Sequence, residues 1–358
     1  MLPDASRSAR LRAALLLCLV ALLGGCASVG YVAQAARGQL GVLRARQPID
    51  RLLASPETPT ALRARLEQVK QIREFASREL LLPDNASYRS YADIGRPYVV
   101  WNVVATPALS VTPREWCFPV AGCVAYRGYF SEAAARRFAA GLAARGDDVA
   151  VFGVAAYSTL GKFSDPVLNT MTAYGPLDLA GLIFHELAHQ KLYVAGDSAF
   201  NEAFATTVEE RGLARYAERH ATPAALAAWH ARRERGEGVN KVVAEARARL
   251  RTLYRSDSSA AEKLERRKGE FAALAAQVEE MERAGGYRTG LHDWLEGGLN
   301  NAHLAAFATY RERQPLFETL FDIANGDFAA FYRAADAAAA TRRVELKGPP
   351  RRRVGPRP

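Results

Sequence analysis

The amino-acid sequence predicts a mainly α-helical fold with a small β-sheet, an α+β arrangement. Three observations carry that expectation. Apolar residues recur at helical spacing through residues 37–92, at Leu52, Leu53, Leu62, Leu66, Val69, Ile72, Phe75 and Leu80. Two runs, Pro97–Ala105 and Val149–Tyr157, are β-branched and aromatic, as strands are. Beyond Gly212 the chain is dominated by Ala, Leu, Glu and Arg, which favour helix.

The elements follow in order. Residues 1–25 read as a signal peptide: Arg7, Arg10 and Arg12 precede an uncharged, leucine-rich core over residues 13–23. Leu23-Gly24-Gly25-Cys26 reads as a lipobox, in which Cys26 takes lipid and becomes the first mature residue. The uncharged run from Ala13 to Ala36 is also long enough to span a bilayer, so an uncleaved anchor is the rival reading. Residues 26–92 form an N-terminal helical segment, punctuated by Pro48, Pro56 and Pro59. Residues 93–220 form a central core. Between its two strands lies a helix over residues 131–145, with Ser131 as N-cap and Glu132 in the first turn. Residues 221–340 form a helical C-terminal part that closes the cleft. Helical stretches 224–235 and 241–284 suggest a long exposed hairpin, broken near Ser256–Ser259 and ended by Gly285-Gly286. Residues 341–358 read as a basic disordered tail.

Charge and cysteine narrow the partners. Of the net +10, residues 1–25 contribute +2 and residues 341–358 contribute +6, leaving +2 for the body. A nearly neutral body carries no nucleic-acid footprint. Cys18 leaves with the signal peptide and Cys26 carries lipid. The remaining pair, Cys117 and Cys123, stands six apart around a Pro and a Gly, and export permits a disulfide there.

The chemistry concentrates in residues 181–210. His185-Glu186-Leu187-Ala188-His189 is the HExxH pattern of zinc peptidases. Residues four apart on a helix share a face, so both imidazoles can converge on one ion while Glu186 leans over the same spot. The helix is otherwise apolar, and buried polar groups need partners; zinc supplies one. A catalytic zinc takes a third protein ligand and keeps one position open. The helix should run out near Val194. Ala195-Gly196-Asp197 reads as a turn, with Gly196 as C-cap and Asp197 or Ser198 as the next N-cap. The second helix offers Glu202, Glu209 and Glu210. Glu209 shares a face with Glu202, so it could orient a ligating histidine from behind. Glu209 and Glu210 also read as a solvated helix face.

Phe200-Asn201-Glu202-Ala203-Phe204-Ala205-Thr206 resembles the LNEGFA-type segment of gluzincin aminopeptidases. Four stretches together resemble a family of bacterial lipoproteins described as zinc aminopeptidases: AYSTLGKFSDPVLNTM (156–171), HELAHQ (185–190), FNEAFATTVEERG (200–212) and LNNAHLAAFATYRE (299–312). The resemblance covers most of the mature chain. It implies a zincin-like metallopeptidase core with one zinc per chain on His185, His189 and Glu202. It also implies an edge strand that hydrogen-bonds extended substrate, for which Val149–Thr159 is the candidate. Gluzincins use a Tyr or His donor at the developing oxyanion; Tyr310 is the candidate here, with His303 and Tyr254 as rivals. The chain departs from the large gluzincin aminopeptidases in two respects. The interval from His189 to Glu202 is shorter, and there is no GxMEN-like segment to bind a substrate amino terminus.

The expected function is zinc-dependent hydrolysis of a peptide or protein substrate, as an aminopeptidase, with Glu186 as general base. The enzyme would be lipid-anchored on the periplasmic side of a bacterial envelope. A zinc-containing envelope pseudoenzyme or scaffold and a narrow-specificity endopeptidase are the alternatives. The lipobox reading has a direct test. Cys26→Ser should accumulate as a precursor, heavier by the signal peptide and free of fatty acid, and normal maturation of that variant would exclude it.

Overall fold

The computed structural model describes residues 30–118, 122–309 and 313–347. It is mainly helical with small sheets. No described helix is long and apolar enough to cross a membrane. The expected signal peptide and lipobox, Cys26 included, lie outside the described residues.

The N-terminal segment is less continuous than its apolar spacing predicts. Helix α1 (residues 30–44) is followed by strand β1 (Arg46–Pro48) and helices α2 (Ile49–Ala54) and α3 (Thr60–Arg78). Pro48 and Pro59 stand at the N-caps of α2 and α3, where a missing N–H costs nothing. After α3 the chain leaves the helix. The buried Arg73 guanidinium explains why residues 83–87 can be irregular. It donates to the carbonyls of Pro83 (2.6 Å), Asn85 (3.2 Å) and Ser87 (3.0 Å). Burial lowers its proton affinity, yet three carbonyls keep the group satisfied. Strand β2 (Ser90–Ala92) then pairs antiparallel with β1 and parallel with β8 (Val167–Leu168).

The two longer predicted strands are β3 (Val100–Pro107) and β7 (Asp147–Val154). They pair antiparallel, and β6 (Arg127–Tyr129) completes a sheet of order β6-β3-β7. Side chains alternate along β3 as the strand period requires. Trp101, Val103 and Ala105 face helix α4 (Glu132–Ala143), while Val104 meets Ala302, Ala305 and Ala306 of α11 (Asn301–Thr309). Ser131 caps α4 with its hydroxyl on the Ala134 N–H. A short hairpin, β4 (Trp116–Phe118) and β5 (Gly122–Val124), is bridged by the Cys117–Cys123 disulfide.

The main core joins α3 to α6 (Pro176–Lys191) and α7 (Ser198–His220), preceded by the short α5 (Asn169–Thr172). Helices α12 (Gln314–Ile323) and α13 (Phe328–Lys347) close it with Phe317, Phe328 and Phe331. The predicted hairpin is α8 (Pro223–Arg255) and α9 (Ala260–Gly285), with the break at the predicted place and Gly286 in the left-handed conformation at the C-cap. It is less exposed than predicted. Val243, Leu250, Leu274 and Val278 pack with Leu291 and Leu304 into a separate core, beside the short helix α10 (His292–Gly297). Helix α8 also runs unbroken through Gly236 and Gly238, because packing of Val239 and Val243 outweighs the helix penalty of glycine. The basic tail begins later than expected: α13 continues to Lys347, and Arg342 is bound to the buried Asp197 carboxylate. Residues 348–358 lie outside the described residues.

Arg73→Met should leave the Pro83 and Ser87 carbonyls without a donor, whereas that of Asn85 keeps Arg89 at 3.1 Å. We expect a loss of about 2–4 kcal/mol in unfolding free energy, measured by denaturant titration.

Candidate metal centre

Helix α6 starts at Pro176, which suits the first helical position, and carries Asp178 in its first turn and Lys191 in its last. Its apolar face, Leu179, Ile183, Phe184 and Leu187, is fully buried. That burial carries His185, Glu186 and His189 inward with it. The imidazoles of His185 and His189 stand one turn apart, ring centroids 4.9 Å from each other.

The chain then reverses. Asp197 caps α7 by accepting from the Phe200 N–H at 3.0 Å. Asn201 clamps the turn in both directions: it accepts from the Val194 N–H (2.7 Å) and donates to the Val194 carbonyl (2.8 Å). Arg343 donates to the Tyr193 carbonyl at 3.1 Å, and Arg342 holds Asp197 from outside. The turn is also braced by the disulfide hairpin. Gly122 has φ +73°, and a Cβ there would lie 2.3 Å from the Gly196 nitrogen, so only glycine fits.

The reversal brings Glu202 to the histidines. Its Oε2 lies 3.3 Å from His185 Nε2 and 3.7 Å from His189 Nε2. Donor atoms of all three residues lie within 4.8 Å of one another, so the cluster could hold a metal ion. The spacing fits one. Bonds of about 2.0–2.1 Å at tetrahedral angles separate two ligand atoms by about 3.3 Å. Glu202 Oε2 is buried with no hydrogen-bond donor, which a cation at that point would satisfy.

Glu209 lies behind the cluster, its Oε2 3.0 Å from His185 Nδ1. It reaches the ring by passing over Gly181, one turn before His185. A Cβ at Gly181 would stand 3.2 Å from the Glu209 Oε1. With Nδ1–H directed at Glu209, His185 Nε2 keeps its lone pair for the centre. Glu210 faces elsewhere, pairing with Arg233 at 3.1 Å and Gln314 at 2.9 Å.

The electrostatics favour positive charge between these groups. Burial pushes the His185 imidazole down, but Glu202 and Glu209 outweigh it and hold it well above the usual histidine range. Burial pushes Glu202 up, and His189 and His185 more than reverse that, leaving it far below the usual carboxylate range. Glu186 behaves differently. Burial raises it, and the two histidines only partly offset the rise. A carboxyl of raised proton affinity beside a cation site can accept a proton and release it again.

The cluster opens into a cavity of about 360 Å³. Glu186 lines it. So do Ala156, Tyr157 and Ser158, which continue β7, an edge strand of its sheet, towards the cluster. The expectation for the C-terminal part needs correction here: among the described residues, none of 221–340 lines the cavity. Its opposite wall comes instead from α1, β6 and the disulfide hairpin. Tyr254 donates to Asn301 at 2.9 Å, and His303 packs on Trp294; neither lines the cavity. Both are held by the sheet-facing α11 region, where Asn300 and Asn301 bind β7. Tyr310 lies outside the described residues. The sequence reading missed Tyr31 and Tyr193, which line the cavity, and the clamp made by Asn201. Tyr193 stands four residues after His189, a signal available in the sequence; Tyr31 carries none.

A sequence profile of the family described as "Putative aminopeptidase" matches residues 30–347. The chain belongs to that family. No curated protein and no solved structure matches the chain. The family match spans the elements that build the cluster, from α1 to α13.

The contact between Glu209 and His185 predicts a measurable effect. Glu209→Gln should weaken metal affinity by about 10–100-fold in a chelator competition. Glu210→Gln should leave it at the wild-type value.

Proposed function

We propose that the protein is a zinc-dependent peptidase acting as an aminopeptidase, tethered by lipid on Cys26 to the periplasmic side of a bacterial envelope. The observation that carries the reading is the spacing of the His185, His189 and Glu202 donor atoms, with Glu186 lining the same cavity. Two imidazoles and one carboxylate suit zinc, and three protein ligands leave a position for chemistry. Zinc held there supplies Lewis acidity and brings the pKa of water to about 7.

The chain's own residues do the rest. His185 and His189 offer Nε2 lone pairs, and Glu209 keeps His185 in the required tautomer. Glu202 contributes the charged oxygen. Glu186 takes a proton from water as its oxygen attacks the peptide carbonyl, then delivers that proton to the leaving amine. Extended substrate aligns along residues 156–158, as an added strand. Tyr193 lines the same cavity as the cluster and is a candidate for the oxyanion donor, with Tyr310 as the alternative.

One observation favours a second reading, an endopeptidase. Among the described residues lining the cavity, the only carboxylates are Glu186 and Glu202, and both are committed to the centre. None remains to hold a substrate α-ammonium.

Glu186→Gln should keep its zinc and lose activity by a factor of ~10² or more. Glu202→Gln should lose zinc itself, measured by elemental analysis. Wild-type activity needs Glu186 deprotonated, so it should fall as pH drops; burial pushes that acid limb up, and a cation held by the cluster pulls it down. A wild-type rate in Glu186→Gln would remove the hydrolase reading. Cleavage positions in a peptide library, mapped by mass spectrometry, separate removal of the first residue from internal cuts.

A further inference from the structure

The cavity wall facing the cluster is aromatic and uncharged. Tyr31 of α1 stacks on Phe118 of the disulfide hairpin, centroids 5.3 Å apart and planes inclined at 27°. Val124 and Phe130 continue the surface. No Lys or Arg and no acid beyond Glu186 and Glu202 lines the cavity among the described residues. The nearest cations stand behind the rings. Arg127 lies 4.1 Å from the Tyr31 centroid and 4.6 Å from that of Phe138, and Arg96 lies 5.7 Å from that of Phe130. These guanidiniums are engaged on ring faces and do not line the cavity.

The wall is fixed relative to the cluster. The Cys117–Cys123 bridge closes the hairpin bearing Phe118 and Val124. Gly122, at its tip, abuts the Ala195–Gly196 backbone, within the turn that delivers Glu202. Helix α1 is fixed as well, since the Gln34 side chain accepts from the Phe130 N–H at 3.2 Å and donates to the Gly128 carbonyl at 3.4 Å. A volume of about 360 Å³ is small for a ligand pocket, whose usual range is about 300–1,000 Å³. It has room for a short stretch of peptide, not for a folded surface.

We propose that Tyr31, Phe118 and Val124 form a side-chain subsite that selects a large uncharged residue, aromatic or aliphatic, beside the bond to be cut. A charged side chain entering there would lose its hydration and find no opposite charge on that wall among the described residues. A small one would remove less of this apolar wall from water. The proposal rests on the peptidase reading and adds the class of substrate to it.

The test uses the zinc-loaded mature protein and a library of peptides varied on both sides of each potential cleavage site. Wild type should prefer Phe, Tyr or Leu over Ala, Lys and Glu at one position flanking the cut. Phe118→Ala and Tyr31→Ala should each reduce the Phe-to-Ala ratio of kcat/KM by about tenfold or more, the scale set by lost apolar contacts. Phe118→Leu should restore most of it. Zinc content, read by elemental analysis, should match wild type in all three variants. A purely structural role would lower both rates together and leave the ratio unchanged, which would overturn the proposal. So would cleavage by wild type with no preference, or with preference for a charged residue; those outcomes leave the peptidase reading standing. Absence of any cleavage by wild type would defeat that reading, and the subsite with it.

Discussion

Four polar side chains where α6 meets α7, three of them buried and His185 partly so, are the constraint on which the structure depends. His185, Glu186, His189 and Glu202 lie inside a region otherwise filled by Ile183, Phe184, Phe204 and Val208. Groups of this kind are costly away from water unless charge and hydrogen bonding compensate. Compensation here is geometric. Two helices must hold their donor atoms within fractions of an ångström, and the intervening turn must not drift. Asn201 ties that turn to α7, Asp197 starts the helix, and Arg342 reaches from the far end of the chain to steady the cap. The helices can approach because Gly181 leaves room for Glu209.

The remaining elements divide between support and access. Helices α3, α12 and α13 form the apolar block against which α6 and α7 are pressed. The sheet, sandwiched by α4 and α11, carries β7 towards the cluster. The α8–α9 hairpin has its own core and stands apart from the cavity. The buried guanidinium of Arg73 links support to site through an indirect route. It shapes residues 83–87, and Gln190, next to His189, binds that segment through Asn85 (2.8 Å) and Ser87 (3.2 Å).

What the sequence disclosed follows the range of the forces involved. The approach of His185 and His189 is a consequence of helical pitch, and Asp197 and Ser131 announce themselves as caps through their own short side chains. Glu202 was found through a local pattern. The three-residue strands β1 and β2 were not visible, since so few residues cannot display alternation. The continuity of α8 across Gly236 and Gly238 was hidden because tertiary packing decides it. Least legible was the cavity wall. Tyr31 and Phe118 are far apart in sequence, and their stacking depends on the sheet, the hairpin and α1 all being in place. The roles weighed for Tyr254 and His303 failed for the same reason: nothing local says that α8 and α11 turn these side chains towards Asn301 and Trp294 instead of the His–Glu cluster.

The position of Tyr31 has a consequence for how substrate is met. It stands five residues after Cys26, a reach of at most about 18 Å when fully extended. If Cys26 carries lipid, the cleft is leashed within a molecular diameter of the bilayer. Encounter then becomes a search in two dimensions. Molecules sharing that surface arrive at a high effective concentration, whereas those free in the surrounding volume enjoy no such advantage.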